Sequence, residues 1–334
     1  MNPARWLLSP LAIAWGGVMA ARNAWYDRVA AASHGAGVPV ISIGNLTVGG
    51  TGKTPLVIAT ARDLVAAGRR PAVLTRGYRA APGQPADEVL ELRAALPGVP
   101  VVVDADRVRG AAEARAVHGA DCLVLDDGFQ HRRLRRDLDV VLIDALCPWG
   151  GGWVLPAGRL REPARGLRRA GLIVLTRVNQ VGEAERAALR AAVARRVPGL
   201  AIVEVGIVAD ALVSAEGSTR PPEDLAGRRA WLACGLGNPE SFVRLAAALG
   251  ARIVGTSRFP DHHRYTPADS AAVAAAARAA RAEWVVTTRK DWVKLAALWP
   301  SGDPPLMRLD LRVEWLSGRE AWQAALRRAL ETCA

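Results

Sequence analysis

The stretch VPVISIGNLTVGGTGKTPLVIATARDLVAA, residues 38–67, decides the fold. Its apolar start, Val38–Ile43, predicts a buried strand, and its second half, from about Thr54, predicts a helix. Between the two lies Gly49-Gly50-Thr51-Gly52-Lys53-Thr54. The backbone N–H groups of such a turn, with a helix N-terminus behind them, can cradle phosphates while the lysine reaches the β and γ oxygens. The stretch therefore predicts a P-loop that binds ATP, with the Thr54 hydroxyl on Mg²⁺.

The loop departs from the usual pattern at its first position. The strict form G-x-x-x-x-G-K-[ST] begins with glycine, and this chain has Thr47 there. Some membrane-associated dimeric ATPases use K-G-G-x-G-K-T, with an extra lysine before the glycine pair. Val48 occupies that place here, which argues against that class. A glycine-rich turn that only caps a helix is the structural alternative.

Apolar runs recur along the chain and alternate with helical segments, which predicts a mostly parallel sheet covered by helices on both faces. Further strands are predicted at Ala72–Thr75, Val99–Val103, Cys122–Leu125, Val140–Ile143, Leu172–Thr176, Ala201–Val205, Ala230–Cys234, Arg252–Gly255, Trp284–Thr287 and Leu306–Leu311. Further helices are predicted at Arg107–Val117, Glu183–Arg195, Pro239–Leu249 and Pro267–Ala282. We therefore expect an α/β fold of the P-loop NTPase type. Its predicted parts are an N-terminal membrane-associating helix (1–28), a P-loop domain (29–210), a Ser/Pro/Gly-rich linker (211–228) and a smaller C-terminal α/β domain (229–334).

The composition is basic, with a formal charge of +12 over 334 residues, so the surface attracts anions. Only Lys53, Lys290 and Lys294 are lysines, and the other 41 basic residues are arginines. A bias this strong is expected from genome composition, whereas the three lysines mark places where a compact ammonium is wanted. The basic residues are not interleaved with aromatic residues along one segment, which argues against nucleic acid as a partner. The four cysteines have no C-x-x-C spacing, which argues against a disulfide scaffold and a zinc site.

Sixteen residues without a formal charge, Trp6 to Ala21, lie near the start of the chain. They are fewer than the ~20 residues needed to span a bilayer, and Pro10 interrupts them. We favour a helix in the membrane interface, with tryptophans at its edge, that docks the protein without taking part in chemistry at the nucleotide site. A buried core helix and a cleaved signal peptide are the alternatives.

Two further places carry titratable groups. The predicted strand Cys122–Leu125 is followed by Asp126-Asp127, the position of a Walker-B aspartate that holds Mg²⁺. Three of the five histidines are His131, close behind that pair, and His262-His263, which follow Asp261. An aspartate beside a histidine can orient the imidazole for acid–base chemistry, although a pair of surface histidines is more often inert.

Together these motifs resemble one family, the lipid A 4′-kinases (tetraacyldisaccharide 4′-kinases) of Gram-negative bacteria. The loop with Thr47 is the usual form in that family. The motifs that carry the resemblance run in order along residues 40 to 295. They are Gly44-Asn45-Leu46-Thr47 with the P-loop and Pro55, Thr75-Arg76-Gly77-Tyr78, Asp126-Asp127-Gly128-Phe129-Gln130-His131, Leu155-Pro156-Ala157-Gly158, Leu160-Arg161-Glu162, Phe259-Pro260-Asp261-His262-His263, and Lys290-Asp291 with Lys294.

The resemblance implies a kinase that uses ATP and Mg²⁺ to phosphorylate the 4′-hydroxyl of a tetraacyl glucosamine disaccharide 1-phosphate in lipid A biosynthesis. It also implies a peripheral or monotopic location at the cytoplasmic face of the inner membrane. The nucleotide-binding residues would be Thr47, Gly49, Gly50, Thr51, Gly52, Lys53 and Thr54. The metal ligands would be Thr54, Asp126 and Glu88, and further active-site positions Asp127, Gln130, His131, Arg107 and Arg76.

The resemblance also implies a catalytic base beside the catalytic Lys53. The family has this base in a G-D-E-P segment, which corresponds to Ala86-Asp87-Glu88-Val89 and so to Asp87, although both flanking residues differ. Its partner histidine follows an aspartate, which selects His262 over His263.

Two other classes of function stay open. One is a P-loop kinase of a small soluble metabolite, in which the N-terminal helix is part of the core. The other is a nucleotide-switched membrane-binding ATPase, whose hydrolysis would not depend on a lipid acceptor.

Overall fold

The computed structural model describes residues 4–77, 86–237, 239–300 and 304–332, without the side chains of residues 4–6 and 30. Its strands are β1 (Val40–Asn45), β2 (Pro71–Thr75), β3 (Val101–Val103), β4 (Cys122–Asp126), β5 (Leu138–Asp144), β6 (Leu172–Thr176), β7 (Ile202–Ser214), β8 (Thr219–Arg220), β9 (Arg229–Cys234), β10 (Arg252–Arg258), β11 (Trp284–Thr288) and β12 (Leu306–Ser317). Its α-helices are α1 (Ala4–Arg28), α2 (Lys53–Ala66), α3 (Asp87–Ala95), α4 (Arg107–Ala116), α5 (Glu183–Arg196), α6 (Pro239–Ala248), α7 (Pro267–Ala279), α8 (Arg289–Leu295) and α9 (Arg319–Glu331).

The chain forms two compact units, each built from separate pieces of sequence. Unit 1 contains the described residues of Met1–Gly77, Ala95–Ile207 and Val313–Ala334. Unit 2 contains those of Tyr78–Ala94 and Val208–Arg312. The mostly parallel α/β sheet with helices that the sequence predicts is confirmed.

Unit 1 has a parallel sheet in the strand order β7-β6-β5-β1-β4-β2-β3. Its inner strands are buried on both faces, as their continuous apolar sequence requires. Strand β1 lies between β4 and β5, and Ile43 of β1 is in register with Asp126 of β4. Because parallel strands end at the same edge, the loop after β1 and the acidic pair after β4 are neighbours.

Glycine is required where the turn after β4 packs on β1. A Cβ on Gly44 would lie 2.6 Å from the Cβ of Phe129, and one on Gly128 would lie 2.7 Å from the Ser42 hydroxyl. Any larger residue would push the acidic turn away from the strand that carries the phosphate loop.

Unit 2 has a parallel sheet in the order β10-β9-β11-β12. Its core holds Leu212, Leu225, Leu232, Val286 and Met307, all buried.

The division differs from the one predicted from the sequence in three places. The segment predicted as a linker, 211–228, is folded and contains the end of β7, β8 and a 3-10 turn. It folds because Leu212 and Leu225 are buried in the core of unit 2. Helix α3, which begins at Asp87, falls mostly in unit 2 instead of the P-loop domain. Helix α9 belongs to unit 1 instead of the C-terminal domain, because Trp322 is buried and donates to Asp63 at 3.0 Å.

Helix α1 runs through Pro10 and presents large apolar side chains to solvent, among them Leu11, 60% exposed, and Val18, 58% exposed. No helix among the described residues is long and apolar enough to cross a membrane. Tyr78, which belongs to one of the sequence motifs, lies outside the described residues.

Candidate active site

The phosphate loop leaves the end of β1 and enters α2 at Lys53. Gly49 and Gly52 have φ angles of 114° and 83°, a left-handed backbone that glycine adopts without a steric cost. Gly52 is the N-cap of α2, so the first N–H groups of the helix face the loop. This is the geometry that binds phosphate, and it agrees with the prediction from the sequence.

The loop is fixed from behind by the end of β6. The Thr176 hydroxyl donates to the carbonyl of Thr51 at 2.9 Å, and the Arg177 guanidinium donates to the carbonyl of Gly50. Arg177 also pairs with Asp144 at 2.9 Å. Burial raises the pKa of Asp144, and the charge of Arg177 opposes this effect. These contacts hold the carbonyls of Gly50 and Thr51 and so fix this part of the loop.

Lys53 contacts the end of β1 and the acidic turn. Its Nζ lies 3.3 Å from the Asn45 Oδ1 and 3.6 Å from the Asp127 Oδ1. Asp127 also accepts from Arg161 at 2.6 Å. Burial alone would raise the pKa of Asp127, but the charges of Lys53 and Arg161 outweigh it and hold the pKa below its usual range. Asp127 is therefore an anion, and it balances two cations beside the loop.

Asp126 is the last residue of β4 and is buried, as predicted for a Walker-B aspartate. Near it, Arg107 is also buried and donates to the Asp104 carbonyl at 2.6 Å. Burial lowers the pKa of Arg107, and the negative charge of Asp126 acts in the opposite direction. Arg76 follows β2 directly and is exposed. The positive charge of Arg76 also lowers the pKa of Arg107.

Gln130 and His131 end the acidic motif. The Gln130 amide donates to the carbonyl of Asn45 and to Glu162, both at 3.0 Å, which joins the motif to the strand before the loop. Burial, followed by the charge of Arg107, lowers the pKa of His131 to about 4. His131 is therefore a neutral imidazole at neutral pH.

The second group of predicted residues lies in unit 2. Asp87 is the first residue of α3, and its Oδ2 lies 3.3 Å from the His262 Nδ1. The neighbouring His263 contacts Asp269 instead, at 3.2 Å. The structure thus brings together Asp87 and His262, the two residues that the sequence paired.

His262 has a φ angle of 64°, which is uncommon for a residue with a side chain. Asp127 and Arg177 share this property, with φ angles of 54° and 57°. Such residues concentrate at functional sites, where the surroundings hold the backbone in place.

The proposed metal ligands fall in both units. Thr54 and Asp126 belong to unit 1, and Glu88, in the first turn of α3, belongs to unit 2. Among the described residues no group of three or more His, Cys, Asp or Glu side chains forms a metal site. A threonine hydroxyl and a carboxylate are hard oxygen donors, and they suit an ion that keeps several waters and binds phosphate oxygens. The donor set therefore fits Mg²⁺.

Reasoning from the sequence gave no role in this site to several residues that the structure places in it. Arg161 and Asn45 are predicted only as members of family motifs, and Thr176 and Arg177 have no predicted role. Arg177 could have been identified as a site residue from the sequence, because it directly follows a predicted strand. Ligands bind at the carboxyl ends of the strands in a parallel sheet. Lys294, which contacts Asp87 at 2.9 Å, is one of three lysines and a member of a family motif, but neither observation predicts this contact.

Comparisons with known proteins show the family of this chain. The family model described as tetraacyldisaccharide-1-P 4′-kinase (LpxK) matches residues 4–331. Tetraacyldisaccharide 4′-kinase of Anaeromyxobacter sp. (strain Fw109-5) is 45% identical over 97% of this chain and 92% of its own length. The corresponding protein of Syntrophus aciditrophicus is 40% identical over 88% of this chain and 85% of its own length.

Among solved structures, LpxK from Aquifex aeolicus, crystallised in complex with ATP, superposes with a TM-score of 0.77 at 28% identity. That match covers 98% of this chain and 99% of the other. The match to the family model spans nearly the whole sequence, from α1 to α9. The chain belongs to the tetraacyldisaccharide-1-phosphate 4′-kinase family.

Proposed function

We propose that this chain transfers the γ-phosphate of ATP to the 4′-hydroxyl of a tetraacyl glucosamine disaccharide 1-phosphate, a step of lipid A biosynthesis, with Asp87 as the catalytic base. The family supports the reaction. The observation that carries the assignment of the base is the contact between the Asp87 Oδ2 and the His262 Nδ1, at 3.3 Å.

Unit 1 supplies the phosphate-binding part. The N–H groups of Gly49–Thr54 and the Lys53 ammonium would hold the β- and γ-phosphates of ATP. Thr54 and Asp126 would hold Mg²⁺, and the bound ion would neutralise phosphate charge. Lys53 now lies 3.6 Å from Asp127, and its flexible stem lets the ammonium turn from that carboxylate to a phosphate oxygen. Arg161 stays on Asp127 and keeps the carboxylate paired.

Unit 2 supplies the proton acceptor. The sugar hydroxyl oxygen forms a bond to the γ-phosphorus while the bond between that phosphorus and the bridging oxygen of ADP breaks. The electron pair of the broken bond leaves with ADP, and the hydroxyl proton goes to Asp87. Since a hydroxyl is a poor nucleophile, a positioned carboxylate is worth ~10²–10⁴-fold in rate. His262 orients that carboxylate.

The lipid substrate suggests where the protein works. We infer that α1 lies in the cytoplasmic face of the inner membrane, because apolar side chains such as Leu7, Leu11 and Val18 are exposed on it. Apolar area on an interfacial helix drives such docking. A peripheral or monotopic arrangement agrees with α1, a helix of 25 residues that is not apolar enough to span the bilayer.

The reaction is tested by incubating the full chain with ATP, Mg²⁺ and a tetraacyl disaccharide 1-phosphate, followed by mass spectrometry. We expect one added phosphate on the acceptor. Free glucosamine phosphates should not be phosphorylated; if they are preferred, the chain is a kinase of a soluble metabolite. ATP hydrolysis that does not depend on any acceptor would indicate the switch-type ATPase instead.

Variants test the residue assignments in the same assay. Lys53→Ala should abolish most transfer, and Asp87→Asn should lower kcat by ~10²–10⁴-fold. His262→Gln and His263→Gln are the matched pair of variants. We expect His263→Gln to lower kcat less than His262→Gln does. If the His263 variant is the more damaged of the two, the assignment of the imidazole is wrong.

A further inference from the structure

The three lysines of this chain occupy related positions. Lys53 pairs with Asp127 at 3.6 Å, Lys290 with Asp261 at 2.6 Å, and Lys294 with Asp87 at 2.9 Å. In a chain where 41 of 44 basic residues are arginine, each lysine lies on an aspartate of the candidate site or next to it.

We propose that Lys294 is a positioning residue that fixes the orientation of the Asp87 carboxylate for transfer. The inference rests on the proposed function, in which Asp87 accepts the proton of the sugar hydroxyl. Its starting observation is that the ammonium of Lys294 and the imidazole of His262 both bind one oxygen of Asp87, Oδ2, at 2.9 Å and 3.3 Å. In the described part of the chain the other oxygen, Oδ1, carries no hydrogen bond.

Lys294 is itself held in place, although most lysines are flexible. Its Nζ donates to the carbonyl of His263 at 2.9 Å and lies over the Tyr265 ring, 5.4 Å from its centre. It also lies 3.8 Å from Asp291, which is fully buried. Such an ammonium has one fixed position, which a surface lysine lacks.

Asp291 explains why that position is rigid. Its Oδ2 accepts from the Gly235 N–H at 3.0 Å and from the Thr288 hydroxyl at 2.8 Å, which ties the start of α8 to the end of β9. Lys294 lies one turn further along α8. The hydrogen bonds of Asp291 therefore fix α8 on the sheet of unit 2, and Lys294 of that helix holds the Asp87 carboxylate.

The arrangement decides which oxygen takes the proton. With Oδ2 engaged by two donors, the carboxylate cannot rotate freely, and Oδ1 is the acceptor that faces the substrate hydroxyl. During transfer the hydroxyl oxygen bonds to the γ-phosphorus, the electron pair of the broken P–O bond leaves on ADP, and the proton goes to Oδ1. Lys294 keeps its contacts with Oδ2 and with the His263 carbonyl throughout.

The test compares Lys294→Ala with Lys290→Ala, the same change one turn away on the same helix. The Lys290 pair involves a half-exposed carboxylate, and such pairs contribute little. A catalytic base that is misplaced by about 1 Å lowers the rate by ~10²-fold. We therefore expect Lys294→Ala to lower kcat by about that factor, with an unchanged KM for ATP. Lys290→Ala should lose less than about 3-fold, since exposed ion pairs are weak.

Chemical rescue separates positioning from folding. Added ethylammonium should restore part of the kcat of Lys294→Ala, because it supplies the missing ammonium, and should leave Lys290→Ala unchanged. If the alanine variant folds poorly, Lys294→Met, which keeps a long unbranched side chain without the charge, should show the same low kcat. Wild-type kcat in Lys294→Arg, or no rescue by the amine, would overturn the proposal.

A double-variant cycle distinguishes this inference from the proposed function. If Lys294 acts through Asp87, adding Lys294→Ala to Asp87→Asn should slow transfer no further. Multiplied losses would show that Lys294 acts elsewhere. If Asp87→Asn alone keeps full turnover, it is the assignment of the base that fails.

Discussion

Asn23 of α1 offers a sharp test of how this helix relates to the nucleotide site. Its side-chain amide donates to the Glu162 Oε2 at 2.6 Å, and Glu162 is fully buried. The same carboxylate accepts from Gln130 and, through both oxygens, from Arg169 at 2.9 Å. Gln130 reaches the strand before the phosphate loop. The perturbation of choice is Asn23→Ala, which removes one donor from this buried carboxylate.

The size of the effect follows from these contacts. A hydrogen bond to a charged group contributes ~1.5–3 kcal/mol, and we take about 2 because Arg169 and Gln130 remain on the carboxylate. Alanine is a better helix former than asparagine by ~0.5 kcal/mol, which offsets part of the loss. The free energy of unfolding should therefore fall by about 1.5 kcal/mol.

The assay is urea unfolding without lipid or detergent, so that membrane binding plays no part. Val18→Ala is the matched control, since Val18 is exposed on the same helix and its loss should be within ~0.5 kcal/mol. If Asn23→Ala unfolds at the urea concentration of the wild type, the hydrogen bond of Asn23 makes no net contribution to the stability of unit 1. The hydrogen bonds of Trp15 to the Arg161 carbonyl and of Arg22 to the Gln130 carbonyl join the same helix to unit 1.

Two further predictions concern acid stability and membrane docking. Because the pKa of His131 is about 4 in the fold and ~6.5 when unfolded, the unfolded chain takes up a proton first as pH falls. Stability should be highest above pH ~6.5 and should fall by about 3 kcal/mol toward pH 4. In urea unfolding measured from pH 7 to pH 4, His131→Asn should lose less stability with falling pH than the wild type. An equal loss in both proteins would contradict a lowered pKa of His131. For docking, Leu11→Asp and Val18→Asp should reduce co-sedimentation with anionic liposomes without lowering kcat on detergent-dispersed lipid, and unchanged sedimentation would mean that another surface binds the membrane.

Much of unit 1 could be predicted from the sequence, because its strands are buried on both faces and read as apolar runs. β1, the loop and α2 were expected within two residues of where they lie, and β6 was expected at its observed ends. β7 and β12 run on to Ser214 and Ser317, past the predicted ends. Polar residues such as Asp210 and Arg312 interrupt their apolar pattern, so the sequence alone could not show the pairing that extends these strands.

The rest depended on contacts between residues far apart in sequence. Helix α3 is short, and only its packing places Asp87 beside His262, 175 positions away. Arg161 reaches Asp127 across 34 positions, and membership of a motif does not show which carboxylate an arginine binds. The motif residues were therefore visible, and the pairing of their cations with the aspartates was not.

Helix α9 has a consequence for how the protein is made. It packs on β1 and β5, and Arg319 and Trp322 bind Asp63 of α2, the helix that begins at the phosphate loop. Domains usually fold in the order of synthesis, N-terminal first. Here the sheet that carries the loop gains its last partner only after residues near 322 have left the ribosome, while most of unit 2 has already been synthesised. The core of unit 1 is thus completed only after most of unit 2 has been synthesised, and a chain that stops before Arg319 leaves Asp63 without these two partners.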